Sequence, residues 1–208
     1  MPRIALTFDD GPNTVTTPQV LDLLEEHGIV GTFFLIANNI NPDSAAMVRR
    51  AVSLGCEIEN HSVTHQQMAE MDPAEIRKEI QLCTDRIVEI TGRTPEFFRP
   101  PFISVSQQLY DSVDLAFICG SGCEDWVPFV SAEERARRVL ANAKDGEIVL
   151  LHDMTGNVNT VEALKTIIPE LKARGFTFLT VSRIFRDCGV TPVRNRLYSN
   201  VFQTVDRL

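Results

Sequence analysis

The sequence predicts an α/β fold in which a mainly parallel sheet is covered by helices on the outside. Three observations predict it. Short apolar runs alternate with longer segments of helical period along most of the chain. The connections between them are short, and several helical segments stop at a glycine. The polar clusters fall after the strand-like runs, at the ends where a parallel barrel collects its active-site groups.

The elements follow in order. Residues 4–8, Ile4-Ala5-Leu6-Thr7-Phe8, read as a buried strand. A helical pattern over 17–27 ends at Gly28, and 31–36 is the next apolar run. Helix 44–54 ends at Gly55 before strand 56–59. Helix 73–91 has the clearest start: Asp72 is an N-cap, Pro73 takes the first helical position, Glu75 sits in the capping-box place, and Gly92 closes it. Strands follow at 96–99 and 115–119, then helix 131–143, whose Ser131 and Glu134 have capping-box spacing. Strand 148–151, helix 161–174 ending at Gly175, and strand 176–181 complete the pattern. The expected organisation is one domain over 1–188, with 189–208 an irregular tail packing on it.

Composition narrows the function. The chain is 44% hydrophobic and 23% charged, ordinary for a globular protein. A net charge of −8 argues against nucleic acid and suits a neutral substrate. No run approaches the roughly 20 apolar residues of a membrane span, so no membrane partner is expected. No charged-then-apolar leader precedes the first strand, which points to an intracellular protein or a trimmed one. Five cysteines with no C-x-x-C pair are expected to be buried free thiols.

Two motifs have the parts of a metal site with a general base. Asp9 and Asp10 leave the first strand, and Gly11-Pro12 turns the chain away. Side chains alternate along extended chain, so the two carboxylates cannot point the same way. One is free to hold a metal while its neighbour does something else. A turn carboxylate is the bland alternative. His61 and His65 are four apart, and on a helical turn they share one face. Asp with two His is a three-ligand shell that keeps a position open for water. Ser62 and Thr64 are candidates to orient the imidazoles.

Three further motifs sit at strand exits. Arg99 ends an apolar strand, where its head needs a carboxylate partner; an Asp on the same rim is the natural one. Asp125-Trp126 holds the single tryptophan, either packing or an apolar wall. His152 follows an aliphatic run, either a satisfied buried imidazole or an acid for a leaving group.

Together TFDDGP, HSVTH, RPPF, EDW and LHD resemble, in order and spacing, the five motifs of the carbohydrate esterase family 4 polysaccharide deacetylases, the NodB-homology group. The runs FFRPP, EDWVP and IVLLHD are most similar to its acetylxylan esterases. The resemblance implies a distorted (β/α)7-8 barrel and one divalent metal ion, with zinc first and cobalt, nickel or manganese behind it. It implies that Asp10, His61 and His65 hold the metal. Asp9 is then the base, paired with Arg99, and His152 the acid, oriented by Asp125. The Phe102 backbone N–H would help hold an oxyanion, and Trp126 and Leu151 would line the acetyl-methyl pocket. Phe102 stands where tyrosine is common, and Ile103 where glycine is frequent. The implied activity is removal of acetyl groups from polysaccharide, O-acetyl xylan foremost. N-deacetylation of chitin oligomers or peptidoglycan is the alternative. A carbohydrate-binding protein with a vestigial metal site is the reading from another class. The substrate class implies an extracellular location.

Overall fold

The computed structural model describes residues 1–206; positions 207 and 208, the end of the expected tail, lie outside the described residues. Its centre is a ring of parallel strands. β1 (Arg3–Asp9) lies between β2 (Thr32–Leu35) and β7 (Glu147–His152). The ring continues from β2 through β3 (Glu57–Asn60) and β4 (Phe97–Phe98) to β5 (Ala116–Ile118). Two-residue strands β6 (Ser121–Gly122) and β8 (Thr177–Phe178) pair with β7 and β1.

Closure comes from the chain's end. β9 (Leu197–Asn200) runs parallel to β5, pairing Phe117 with Leu197 and Ile118 with Tyr198, and bridges Glu147 of β7 through Asn200. β10 (Gln203–Val205) folds back on it. The segment expected to be irregular therefore supplies the seventh stave of the barrel. Its partners are about 80 residues and 50 residues away in sequence, at Phe117 and Glu147, and local pattern carries no signal for such pairing.

The helices stand outside, as expected: α1 (Thr17–Glu26), α2 (Ser44–Ser53), α3 (Pro73–Thr91), α5 (Ala132–Asn142) and α6 (Val158–Ala173), with short α4 (Gln107–Ser112) and α7 (Val181–Asp187) added. Asp72 caps α3 through the Ala74 N–H, and Ser131 caps α5 through the Glu134 N–H. Gly92 closes α3 with φ of 68°, a left-handed conformation that favours glycine.

Strand alternation sorts the core. Leu6, Phe8, Phe33, Val149 and Leu151 pack outward against helix residues such as Leu21, Leu24, Leu164 and Ile168. Ala5, Phe34, Ile118 and Ile148 pack in a second cluster with Ile184 and Phe185 of α7. All five cysteines are free, four of them buried.

Candidate active site

Asp9, Asp10, His61, His65, Phe102, Trp126 and His152 line one cavity of about 520 Å³ at the C-terminal ends of the strands. Its backbone is unusual. Among the described residues seven non-glycine positions have positive φ; four of them, Asp10, His65, Phe102 and Ile103, line this cavity, and Ser62 and Glu124 lie next in sequence to His61 and Asp125. Each such conformation costs on the order of 1 kcal/mol or more, and clusters of them mark functional sites.

The two carboxylates diverge as alternation requires. Asp9 is the last residue of β1 and is 2% exposed. Its Oδ1 accepts from Arg99 Nη1 at 2.5 Å. Arg99 is fully buried, with its guanidinium carbon 4.1 Å from the centre of the Phe34 ring and its Nε donating to the Ile118 carbonyl at 3.4 Å. The rim carboxylate required by a buried arginine is thus Asp9. Asp10 adopts φ of 71° and turns its carboxylate the other way, with Oδ1 3.4 Å from Nε2 of both His61 and His65.

The histidines reach that position differently from the helical turn expected. The segment after β3 is a loop with Ser62 and His65 at φ of 69° and 58°. Asn60 Oδ1 accepts the Ser62 N–H, and Ser62 Oγ accepts the His65 N–H. Glu79 of α3 accepts from the Val63 and Thr64 N–H groups and the Thr64 hydroxyl. Ser62 therefore supports His65 through backbone, while Thr64 is tied to a helix. His61 is oriented by neither: its Nδ1–H donates to the Arg99 carbonyl at 2.6 Å, which leaves the Nε2 lone pair facing Asp10.

These groups fit a metal ion. One ligand atom from each of Asp10, His61 and His65 lies within 4.8 Å of the others. Asp10 Oδ1 is buried and has no hydrogen-bond partner. Two ligands about 2.05 Å from a tetrahedral ion lie roughly 3.3–3.4 Å apart, which matches the 3.4 Å separations of Oδ1 from each imidazole. The protonation states agree. Burial opposes the Asp10 charge, but the close approach of His61, with His152 and His65, outweighs it and holds the carboxyl below its ordinary range. Burial and the neighbouring His61 push His65 down, toward the neutral imidazole that a metal needs.

Across the cavity, His152 ends β7 beside Asp125. Its Nδ1–H donates to Asp125 Oδ1 at 2.8 Å and its backbone N–H to Oδ2 at 2.7 Å. Thr160 and Asn157 of the following segment also donate to Asp125, and buried Arg135 holds both of these in place. Burial lowers the imidazole's proton affinity, but the Asp125 hydrogen bond and charge, helped by Asp9 and Asp10, raise its pKa to about 9. His152 is therefore protonated at neutral pH.

Trp126 is half exposed, with its ring edge-on to His152 at 5.5 Å. Phe102 sits edge-on to His65 at 4.8 Å in the turn Pro101–Ile103, with φ of 59°. Leu151, expected at the acetyl pocket, does not line the cavity. It is fully buried in the outer core beside Phe8, while Leu150 lines the cavity. The reason is strand parity: Leu150 and His152 are two apart on β7 and share the inner face. The parity was available in the sequence. The supports Glu79, Asn157, Thr160 and Arg135 were not, because they reach the site from helices.

Residues 1–116 match the polysaccharide deacetylase family model. A bifunctional xylanase/deacetylase of Pseudobutyrivibrio xylanivorans is 49% identical over 199 residues, 95% of this chain. The match spans a third of that protein's length, 33%. The Xyl-CE4 domain of a multidomain xylanase from the hindgut metagenome of Trinervitermes trinervoides superposes with a TM-score of 0.95 at 44% identity, covering 97% of this chain and 98% of that one. A family 4 acetyl xylan esterase from Clostridium thermocellum, in complex with a cobalt ion, gives 0.92 at 43% identity, covering 95% and 98%.

Proposed function

The chain belongs to the polysaccharide deacetylase family, and on that footing we propose that it hydrolyses acetyl groups from acetylated polysaccharide, with O-acetyl xylan as substrate and zinc as its metal. The observation that carries this reading is one cavity holding the Asp10–His61–His65 triangle between two prepared proton carriers. A bound divalent ion would activate water and polarise the acyl carbonyl. The protein's residues do the rest. Asp9 takes the proton of the attacking water, aimed by its ion pair with Arg99. The Phe102 N–H is assigned to the developing oxyanion. His152 gives its Nε2 proton to the departing sugar oxygen, while Asp125 keeps the Nδ1 proton in its hydrogen bond and so orients the ring. Trp126 and Leu150 wall the acetyl methyl group. A purely carbohydrate-binding protein has no use for both a buried base and a protonated acid.

Zinc is favoured by the donor set of one carboxylate and two neutral imidazoles at tetrahedral separation. Two relatives whose names join deacetylation or acetyl-ester cleavage to xylan support the ester. The test is acetate release from acetylated xylan and from N-acetylglucosamine oligomers at matched pH, each with chelator and with zinc restored. Release from xylan that vanishes on chelation and returns with zinc is the expected result. Faster release from the N-acetylated oligomers moves the substrate to the amide; release that survives chelation ends the metal assignment.

A further inference from the structure

Behind the acid half of the cavity lies a guanidinium that does not line it. Arg135 of α5 is 2% exposed, and its hydrogen bonds among the described residues all go to neutral oxygens. A buried charge that no carboxylate meets directly is a cost to the fold, so its partners matter. Nη1 donates to Asn157 Oδ1 at 2.6 Å and to Thr160 Oγ1 at 2.8 Å. Nε donates to the Val130 carbonyl at 3.0 Å and Nη2 to the Val127 carbonyl at 3.1 Å. The first pair leads to Asp125. The second holds the chain that leaves Trp126.

An arginine can only donate. Thr160 and Asn157 must therefore show it their acceptors and turn their hydrogens elsewhere. The Thr160 hydroxyl proton goes to Asp125 Oδ2 at 2.9 Å. The Asn157 amide, with Oδ1 on Arg135, points Nδ2 at the His152 carbonyl at 2.9 Å and at Asp125 Oδ2 at 3.4 Å. The His152 N–H is a third donor to Oδ2, and Oδ1 is left for the imidazole.

We infer that Arg135 is a positioning residue for the leaving-group step: it dictates the direction in which Thr160 and Asn157 donate, and so which oxygen of Asp125 orients His152. The inference rests on the deacetylase reading and adds to it a residue that touches no substrate. A neutral residue at 135 would free the Thr160 hydroxyl to turn away, and Asp125 would be free to rotate. That loss acts where His152 must deliver a proton, so it weighs on poor leaving groups. Bracing of the fold alone would act on every substrate alike.

The experiment measures kcat of zinc-loaded protein on acetylated xylotriose and on an aryl acetate whose phenolate departs without a proton. Arg135→Met removes the guanidinium. Thr160→Val removes the hydroxyl between Arg135 and Asp125, and Thr160→Ser keeps it. Arg135→Met and Thr160→Val are each expected to lower the ratio of sugar-ester to aryl-ester kcat about 10-fold or more, the value of a lost hydrogen bond to a charged group. Thr160→Ser should restore the parent ratio, with bound zinc unchanged throughout. In a His152→Ala background the differential should vanish, because the proton donor is gone. Equal losses on both esters, or a differential that persists without His152, overturn the inference. If Arg135→Met does not fold, the Thr160 pair decides. If the parent releases no acetate from either substrate, the deacetylase reading fails, and the positioning is judged by proton NMR of the His152 Nδ1–H. A resonance displaced in Thr160→Val and restored in Thr160→Ser supports it; one resonance common to all three proteins overturns it.

Discussion

At the entry side of the barrel, Glu59 gives one carboxylate oxygen to the Glu96 and Phe97 N–H groups at 2.9 and 2.7 Å. Glu57 accepts from the Thr32 hydroxyl and the Ser182 N–H, and Glu147 from Ser121 and Asn200. At the exit side, Asp10 Oδ1, Arg99 Nη2 and Asp153 Oδ1 are buried without a partner. These are the unpartnered buried side-chain atoms among the described residues. Both ends bury carboxylates. The floor spends its acceptors on backbone N–H groups and on neighbouring strands, which fixes the fold. The rim leaves acceptor and donor capacity open on a backbone held in left-handed conformations, which leaves room for a ligand. Burial of charge alone does not separate structure from chemistry; unfilled bonding capacity does.

If that contrast is right, rim and floor respond differently to substitution. The largest effect should come from Asp9→Asn, which leaves the Asp10–His61–His65 triangle intact. Turnover should fall about 10²–10⁴-fold, while metal content by elemental analysis stays at the parent level. Loss of metal from this variant would mean that the roles of Asp9 and Asp10 are reversed.

Neighbouring positions on β7 sharpen the contrast within one strand. Leu151→Ala should cost about 2–5 kcal/mol of unfolding free energy in a denaturant titration, because it empties the packed outer core. Leu150→Ala should cost less stability and act on KM for the acetylated substrate. The reverse pattern would return Leu151 to the acetyl pocket.

Glu59 tests the floor. Burial and the charge of Glu57 raise its pKa well above 4.5, so the folded state binds a proton there more tightly than the unfolded chain does. Its contribution to stability is full below pH 4.5 and is lost as pH rises through the folded value. Glu59→Gln keeps an acceptor for the two N–H groups and cannot ionise. It should flatten the fall of Tm with rising pH and leave kcat within about twofold, since the residue touches no group of the cavity. A large loss of kcat at parent stability would make the floor part of the catalytic apparatus.

The smallest effect is a displaced pH limb. His152 has its pKa raised to about 9 against the opposing effect of burial, chiefly by the Asp125 hydrogen bond and charge. Activity should fall as pH rises through the acid's titration. Asp125→Asn removes the main raising influence, so the alkaline limb of kcat should move to lower pH. A limb that does not move assigns that titration to another group.

Much of this was legible in the sequence. Alternating strand and helix patterns placed the main staves and the long helices within a few residues, and the caps at Asp72, Ser131 and Gly92 behave as their chemistry dictates. The rim residues were legible because Asp9, Arg99 and His152 each end or directly follow an apolar run, and His61 lies two residues beyond the strand-like segment 56–59. The losses are equally specific. His61 and His65 share a direction through a strained loop rather than a helical turn, since i,i+4 spacing alone does not say which backbone carries it. Leu151, expected at the acetyl pocket, belongs to the outer core, and strand parity puts Leu150 on the inner face instead.

The sequence by itself determined which residue types stand at the strand exits, and that Asp9 and Asp10 must diverge, because alternation is a property of any extended chain. Only the tertiary structure decided that the final segment closes the barrel through Leu197, Tyr198 and Asn200. It also decided that Glu79, Asn157, Thr160 and Arg135 brace the site from helices. The physical reason is the same in each case. These contacts join residues far apart in sequence, and their energy exists only once the ring of strands has brought them within bonding distance.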